Sequence, residues 1–377
     1  MSRVKQPVIE QAPAPDRSDD ERFAAAAWTV LAEPTDKLAA MLIAHMGAAE
    51  SYAWVKSNAT LPAGFEKYQD ALSAWRLRLH KNNPETICLQ AADLGIGFLA
   101  QGDEGWPEIL DTVPGESPWG IWVRGRIPLQ PMVAVVGSRA CSQYGRSVAA
   151  QLGAELSQKG YCVVSGGAYG IDSAAHSGAL SADTPPLAVM AGGLHKFYPA
   201  ASSEMITQVA NTGAVVSQYP PGYSPSRWRF LARNRMIAAF AQATVIVEAA
   251  SSSGALNTAK HARELGRILC AVPGSVRSPQ SVGCNELIRS GAQLVTNAAE
   301  VAELLTPLDQ LPLPKYRPVE PELDRVWAAL PLKTASTLDR IATKAGYSLE
   351  RTGAYLGQLV MQGRVVHEGQ KWRRAKQ

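Results

Sequence analysis

The sequence contains no long hydrophobic run. No stretch of the 377-residue chain approaches the ~20 consecutive apolar residues of a membrane-spanning helix. Residues 1–7 likewise contain no apolar core of a secretory signal. We therefore expect a cytoplasmic protein with no membrane insertion.

Cysteine-pair and metal-binding patterns are also absent from the sequence. The five cysteines form no C-x-x-C pair, and their odd number argues against a disulfide framework. His176 and His261 have no metal-binding partners near them in the sequence, so we expect each to be a packing residue. The sequence therefore predicts no metal site, and its free thiols suit a reducing compartment.

Charged residues are few, and their signs are unevenly distributed. They make up 19% of the chain, which has a net charge of +4. Residues 1–130 carry a net charge of −5, whereas residues 311–377 carry +6. The basic rear part favours a polyanionic partner such as nucleic acid, although solvated Lys and Arg faces give the same pattern.

Five segments can be distinguished along the chain. The apolar fraction of 46% is that of a globular protein, and the length predicts two or three domains. The segments are a flexible tail (1–20), a small helical domain (21–93), an α/β core (94–306), a proline-rich linker (307–321) and a winged-helix domain (322–377). The winged helix is predicted from three short helices followed by a hairpin.

The core segment alternates short apolar strands with helices. The predicted strands are residues 133–137, 161–165, 187–190, 215–217, 244–247 and 268–272. Strands separated by helices predict a doubly wound, mostly parallel sheet that is covered on both faces. Residues 93–126, which precede these strands, are predicted to be a connecting layer with several turns.

Loops that contain glycine follow several of these strands. Residues 137–139 follow the first strand and residues 166–172 follow the second. Ligands of open α/β sheets bind at the carboxyl ends of the strands, where glycine permits close approach and backbone N–H groups attract anions. The loops therefore predict a phosphate-binding rim. Neither G-x-G-x-x-G nor G-x-x-x-x-G-K-[ST] is present, which disfavours ordinary dinucleotide and NTP binding.

Two arginine-containing features lie in or near this rim. Arg139 follows the first strand, where its guanidinium could bind a phosphate; the alternative is a structural salt bridge. Residues 227–235 interleave four arginines with two aromatic residues, which is typical of a groove that follows a nucleic-acid strand. The alternative there is a helix whose Phe230 and Met236 are core residues and whose arginines are solvated. Asp172 is interpreted as a helix cap.

Several motifs together resemble the DNA-processing protein A family, DprA, also called Smf. They are VAVVGSRACSQYG (133–145), SGGAYGIDSAAHSGAL (165–180), GGLHKFYP (192–199), RFLARNRMIA (229–238), VEAASSSGALNTAKHA (247–262), AVPG (271–274) and GCNELIRSGA (283–292). The resemblance implies a Rossmann-like core that binds single-stranded DNA, protects incoming strands during natural transformation and loads the RecA recombinase. It also implies a homodimer through the core, no catalysis and no cofactor. The helical segment resembles the sterile-alpha-motif-like or helix-hairpin-helix piece of many members.

The predicted strand-binding residues combine the matched motifs with the basic segment. They are Gly137, Ser138, Arg139, Ser165, Gly166, Gly167, Tyr169, Gly170, Lys196, Arg227, Arg233, Asn234, Arg235 and Lys260. Two positions depart from the family pattern. Tyr169 stands where the family usually has Arg or Lys, and Gln218 stands where it usually has Glu. A tyrosine can stack on a base or donate a hydrogen bond to a phosphate.

Two other functions are weighed against strand binding. Nucleotide phosphoribohydrolases of the wider superfamily resemble this core and use an Arg and a Glu beside a Pro-Gly-Gly loop, roles that Arg139 and Glu248 could take. However, residues 249–254 contain one glycine rather than three. A transcription factor is disfavoured because the predicted recognition helix, residues 349–362, contains only one cation, Arg351. We therefore predict a protein that is not an enzyme.

Overall fold

The chain forms two compact units, Met1–Pro307 and Leu308–Gln377. The computed structural model describes residues 19–57, 68–112, 118–306, 321–331 and 334–375, and the structural statements below refer to these. The predicted tail lies outside the described residues except for 19–20, and the predicted linker does so except for 321.

The segment predicted to be helical forms five helices. They are α1 (Asp19–Leu31), α2 (Lys37–Met46), α3 (Ala48–Lys56), α4 (Gln69–Lys81) and α5 (Pro84–Asp93). Asp36 and Asn83 begin α2 and α5 by accepting backbone N–H groups of the first turn. Trp28 and Trp75 are buried between the helices, with their ring centroids 5.2 Å apart.

Nine strands form one sheet in the order β1-β2-β6-β5-β4-β3-β7-β8-β9. The strands are β1 (Gly97–Ala100), β2 (Gly120–Gly125), β3 (Met132–Val136), β4 (Cys162–Ser165), β5 (Leu187–Met190), β6 (Ala214–Ser217), β7 (Ala243–Ile246), β8 (Ile268–Ala271) and β9 (Gln293–Leu294). Strands β3 to β9 pair in parallel, whereas β2 is antiparallel to both of its neighbours. The predicted doubly wound, mostly parallel sheet is confirmed.

Helices cover both faces of this sheet. They are α6 (Gln143–Gln158), α7 (Ile171–Leu180), α8 (Ser203–Thr212), α9 (Arg227–Phe240), α10 (Ala255–Glu264), α11 (Val282–Arg289) and α12 (Ala298–Leu305). Successive residues of a strand point to opposite faces. Val135 therefore packs in one core with Leu152 of α6, and Val136 packs in the other core with Phe240 of α9.

The prediction for residues 93–126 was wrong in one respect. This segment contributes β1 and β2 to the edge of the sheet, instead of only a connecting layer of turns. Trp122 of β2 is buried, and its indole N–H donates to Thr29 Oγ1 of α1 at 3.0 Å. The helical segment and the sheet thus share one hydrophobic core, which includes Val30 and Ile87.

The second unit contains three helices and a three-stranded antiparallel sheet. Its elements are α13 (Pro321–Ala329), β10 (Ser336–Thr337), α14 (Leu338–Ala345), α15 (Leu349–Met361), β11 (Val365–Glu368) and β12 (Lys371–Arg374). The strand order is β10-β12-β11, and Val326, Leu356 and Leu359 lie in the core. The predicted helices and hairpin are present, while the winged-helix assignment stays a prediction.

Candidate functional site

A cleft of about 740 Å³ opens at the carboxyl ends of the central strands. From β3 the chain adds β4, β5 and β6 on one side, and then crosses over to add β7 and β8 on the other side. Ligands of doubly wound folds bind at such a reversal of strand order. The cleft is lined by the loops that follow β3, β4 and β7, together with one side of α9.

The loop after β3 is fixed by a buried carboxylate. Glu248, which is 2% exposed, accepts hydrogen bonds from the backbone N–H and the hydroxyl of Ser142 at 2.8 and 2.6 Å. Its backbone carbonyl accepts the N–H of Ser138 at 2.7 Å. Ser142 in turn caps α6. Glu248 therefore holds the loop that presents Arg139 to the cleft.

The loop after β4 closes around a second buried carboxylate. Asp172 of α7 accepts the N–H groups of Gly166 and Ala168 at 3.1 and 3.4 Å, instead of serving as the residue that caps the helix. Gly170 has a φ of +82°, and a Cβ there would overlap the carbonyl oxygen of Ser138. Glycine at this position therefore lets the two loops touch. Burial raises the pKa of Asp172, and the nearby Arg233 guanidinium opposes that shift.

Two arginines contact the ring of Phe230 at the cleft. The guanidinium carbon of Arg139 lies 4.8 Å from the ring centroid, and that of Arg233 lies 5.7 Å from it. Arg233 is only 4% exposed, and it donates to the carbonyl of Val189 at 3.2 Å. Burial lowers the pKa of Arg233 to about 10, which leaves it charged at neutral pH. Arg139 is exposed and makes no ion pair within the described part of the chain.

The structure brings eight of the predicted residues together. Gly137, Ser138, Arg139, Arg227, Arg233 and Asn234 line the cleft, and Gly166 and Lys196 line a small adjoining recess. Asn234 also donates to the carbonyl of Gly254 at 3.3 Å, which connects α9 to the start of α10.

The other six predicted residues do not line the cleft or the recess: Ser165, Gly167, Tyr169, Gly170, Arg235 and Lys260. Ser165 is buried in β4, and its hydroxyl donates to the carbonyl of Val135. Lys260 faces solvent beside Glu264. Tyr169 is 49% exposed. Its neighbour Ala168 lines the cleft, and its neighbour Gly170 lies against the carbonyl of Ser138 in the loop after β3.

Several cleft residues were not predicted from the sequence. Tyr198, which is 51% exposed, lies at the mouth with its ring centroid 5.9 Å from that of Phe230. Ser252, Ser253 and Thr258 line the part of the cleft that follows β7. Phe230 is a cleft residue and not part of the core, whereas Met236 is a core residue as the alternative predicted. The serine run 251–253, in the loop between β7 and α10, was the available signal for Ser252 and Ser253.

The described residues form neither a metal-binding cluster nor a membrane-crossing helix. Within those ranges no group of three His, Cys, Asp or Glu side chains is placed to hold a metal ion. No helix there is both long enough and apolar enough to cross a membrane.

Comparison with known proteins identifies the family. Residues 97–306 match the family model described as DNA recombination-mediator protein A. The chain belongs to this family. It is 43% identical over 269 residues to a DprA protein of Mycobacterium tuberculosis, and the match covers 69% of each chain. It is 40% identical over 188 residues to the DNA processing protein DprA of Streptococcus pneumoniae, which covers 49% of this chain and 66% of that relative.

Two solved DprA structures have the same fold. The X-ray structure of DprA from Streptococcus pneumoniae matches with a TM-score of 0.62 at 28% identity, covering 76% of this chain and 98% of the other. A structure of DNA processing protein A from Helicobacter pylori, described for its single-stranded DNA binding mode, matches with a TM-score of 0.50 at 27% identity. That match covers 56% of this chain and 95% of the other. Membership of the DprA family assigns this chain to DNA processing and recombination.

Proposed function

We propose that this member of the DprA family binds single-stranded DNA in the cleft and loads the RecA recombinase onto it. The observation that carries the proposal is Arg139, an exposed guanidinium with no ion-pair partner in the described chain, held over Phe230 at the reversal of strand order. A cation beside an aromatic ring suits one phosphate and one base of a flexible strand. The single-stranded DNA binding mode described for the Helicobacter pylori relative supports the same function.

The shape of the cleft favours a single strand over a duplex. Its aromatic side chains, Tyr198 and Phe230, can stack only on bases that are not paired within a double helix. Stacking on base faces carries little sequence preference. We therefore expect the protein to bind single strands of different sequence with similar affinity.

The finer parts of the proposal rest on family membership. They are protection of incoming strands during natural transformation, contact with RecA, a homodimer formed through the core and a cytoplasmic location. The predicted winged-helix domain adds either a DNA contact or a protein contact. The argument for a DNA contact is the basic charge of residues 311–377.

We propose further that the protein is not an enzyme and needs no cofactor. The phosphoribohydrolase alternative requires Glu248 to face a substrate. Both of its carboxylate oxygens accept hydrogen bonds from Ser142, and the side chain is buried away from the cleft lining. Release of a base from a nucleoside monophosphate, abolished by Glu248→Gln, would contradict this part of the proposal.

A salt-titrated binding assay tests the proposed DNA interaction. Fluorescence anisotropy compares a single strand, a blunt duplex of the same sequence and a mononucleotide, each over a range of salt concentrations. We expect tight binding of the single strand, weaker binding of the duplex and a steep decrease of affinity with salt. Equal affinity for duplex and single strand at the same salt would overturn the proposal.

RecA loading requires a separate assay. A strand is first covered with single-strand-binding protein, and RecA filament formation is then followed by its ATP hydrolysis with and without this protein. We expect the protein to shorten the delay before hydrolysis begins. An unchanged delay, with strand binding intact, would leave DNA binding in place and remove RecA loading from the proposal.

A further inference from the structure

Arg229 connects α9 to the loop between α1 and α2. Its Nη2 donates to a carboxylate oxygen of Glu33 at 2.6 Å, and its Nη1 donates to the carbonyl of Ser224 at 2.8 Å. The guanidinium carbon also lies 4.8 and 5.1 Å from the ring centroids of Tyr219 and Tyr223. The side chains of Arg229 and Glu33 are only 14% and 19% exposed, so salt screens this ion pair less than a surface pair.

The loop that carries Glu33 is itself held in place. The hydroxyl of Tyr223 donates to the carbonyl of Val30 at 2.7 Å, and Arg78 donates to the carbonyl of Leu31 at 2.8 Å. The N–H of Asp36 closes the loop onto the carbonyl of Glu33 at 2.8 Å. The carboxylate of Glu33 is therefore presented to α9 from a fixed backbone.

The start of α9 has few other anchors. None of residues 227–232 is buried, whereas Arg233 and residues 236–240 are. The cap is a single hydrogen bond of 3.4 Å, donated by the backbone N–H of Arg229 to the hydroxyl of Ser226. The first turn contains no acidic residue, so Glu33 supplies from outside the helix the negative charge that stabilises a helix N-terminus.

The same loosely packed turns carry cleft residues. Arg227, Phe230 and Leu231 line the cleft, and Phe230 is the ring that Arg139 contacts. The position of these side chains depends on where the first turns of α9 lie, and the ion pair of Arg229 with Glu33 ties those turns to the loop between α1 and α2.

We propose that Glu33, acting through Arg229, is a positioning residue for strand binding in the cleft. The inference rests on the proposed function. It gives the helical segment, which lies outside the matched residues 97–306, an indirect effect on DNA affinity, through Arg229 and without contact between Glu33 and the DNA.

The sign of the effect separates positioning from plain electrostatics. Glu33→Gln removes a negative charge near a site for a polyanion, so Coulomb attraction alone predicts tighter binding of the strand. Positioning predicts the opposite. The uncharged amide no longer holds Arg229, the first turns of α9 loosen, and the affinity for a single strand decreases.

The test measures single-strand affinity for the full-length wild type, Glu33→Gln, Arg229→Met and the double variant. Asp103→Asn is the matched control, because it also removes one negative charge and an ion pair of α1, here with Arg22 at 2.9 Å. The hydrogen bonds of the Asp103 carboxylate go to Arg22 and Ala100, not to α9. Circular dichroism sets a temperature at which every variant is folded.

We expect Glu33→Gln to weaken binding about three- to tenfold, because only part of the stabilisation from the lost charge-assisted hydrogen bond reaches the cleft. Glu33→Gln should have no further effect once Arg229 is Met, and Glu33→Asp should restore part of the affinity. Asp103→Asn should bind like the wild type.

Unchanged or tighter binding by Glu33→Gln would overturn the inference, and so would an equal loss in Asp103→Asn. A folded wild type that fails to bind single strands would instead overturn the proposed function. The two failures are therefore distinguishable in one set of titrations.

Discussion

Arg139 tests at the level of one side chain whether the cleft binds phosphate. Arg139→Ala should weaken single-strand binding by about 1–3 kcal/mol, because a charge-assisted contact is lost. The slope of log affinity against log salt should become shallower by about one unit. Fluorescence anisotropy at several salt concentrations measures both quantities.

Lys159→Ala is a suitable control for Arg139→Ala. Lys159 is exposed and caps the end of α6 that leads to β4, at the edge of the sheet away from the cleft. The substitution Lys159→Ala removes one positive charge, as Arg139→Ala does, without removing a cleft contact. Wild-type affinity and slope in a folded Arg139→Ala variant would show that Arg139 has a structural role only.

Tyr169 is one of the two positions at which the sequence departs from the expected family pattern. Its ring is 49% exposed beside the cleft loops, where a cation would add one phosphate contact. Tyr169→Arg should therefore tighten binding at low salt and make the salt slope steeper by about one unit. The same titration measures this. If the slope stays unchanged, the strand passes Tyr169 at a distance.

The loop after β4 shows how an element depends on its glycines. Gly166→Ala would place a Cβ against the Arg233 guanidinium, which is buried and hydrogen-bonded to the carbonyl of Val189. We expect a loss of about 1–3 kcal/mol in the free energy of unfolding, as for other overpacked sites, together with weaker strand binding. Urea denaturation and anisotropy measure the two effects.

Gly254→Ala is the matched substitution on the opposite wall of the cleft. Gly254 lines the cleft in an ordinary helical conformation, and a Cβ there meets no atom within 4 Å. This variant should fold as the wild type does. A Gly166→Ala variant as stable as Gly254→Ala would contradict the packing that holds Arg233 in place.

The parallel strands β3 to β8 could be predicted from the sequence, whereas β1, β2 and the two-residue β9 could not. Strands β3 to β8 are short, almost fully buried and mostly apolar runs, and this pattern is local. The burial of β2 depends instead on α1, which packs against Trp122 from far away in the sequence. The periodicity of a short sequence segment cannot predict a contact between residues so far apart in the sequence.

The candidate site, too, could be predicted from the sequence only in part. The glycine loops and Arg139 could be predicted because strand ends meet at one edge of a parallel sheet. The arginines of α9 could be predicted only as a group: Arg227 and Arg233 line the cleft, whereas Arg229 and Arg235 do not. Which of Arg227, Arg229 and Arg233 faces the cleft depends on how the whole helix packs, and that is set by tertiary contacts such as Glu33.

At the scale of the whole molecule, the second unit should be dispensable for strand binding. All the cleft residues belong to the unit Met1–Pro307. Deleting residues 311–377, which carry a net charge of +6, should lower affinity mainly at low salt, where electrostatic attraction is least screened. Anisotropy at low and physiological salt measures this. A folded truncated protein that cannot bind at physiological salt would place the strand path in the deleted residues.

A fully buried histidine should make the stability of the fold depend on pH. Burial lowers the pKa of His176 from 6.5 to about 4, and the Arg233 guanidinium adds to the effect. The unfolded chain therefore binds the proton first as the pH falls. The contribution of this residue is complete above pH 6.5 and should decrease by about 3 kcal/mol as the pH falls to about 4.

Urea denaturation between pH 7 and pH 4 measures this dependence. His176→Gln should flatten it, whereas His80→Gln, which changes an exposed imidazole, should leave it as in the wild type. Equal curves for the wild type and His176→Gln would show that another group controls the acid sensitivity.

The reversal of strand order also has a consequence for the growing chain. One wall of the cleft follows β3 and the opposite wall follows β7, so that Arg139 and Ser252 are separated by more than one hundred residues of sequence. A nascent chain that has reached only β6 already contains Arg139 and Asp172, but not α9 or the wall after β7. Contacts of such sequence separation form late in folding. We therefore expect the proposed strand binding to arise only near the end of synthesis of the first unit, so that an unfinished chain does not compete with the complete protein for strands.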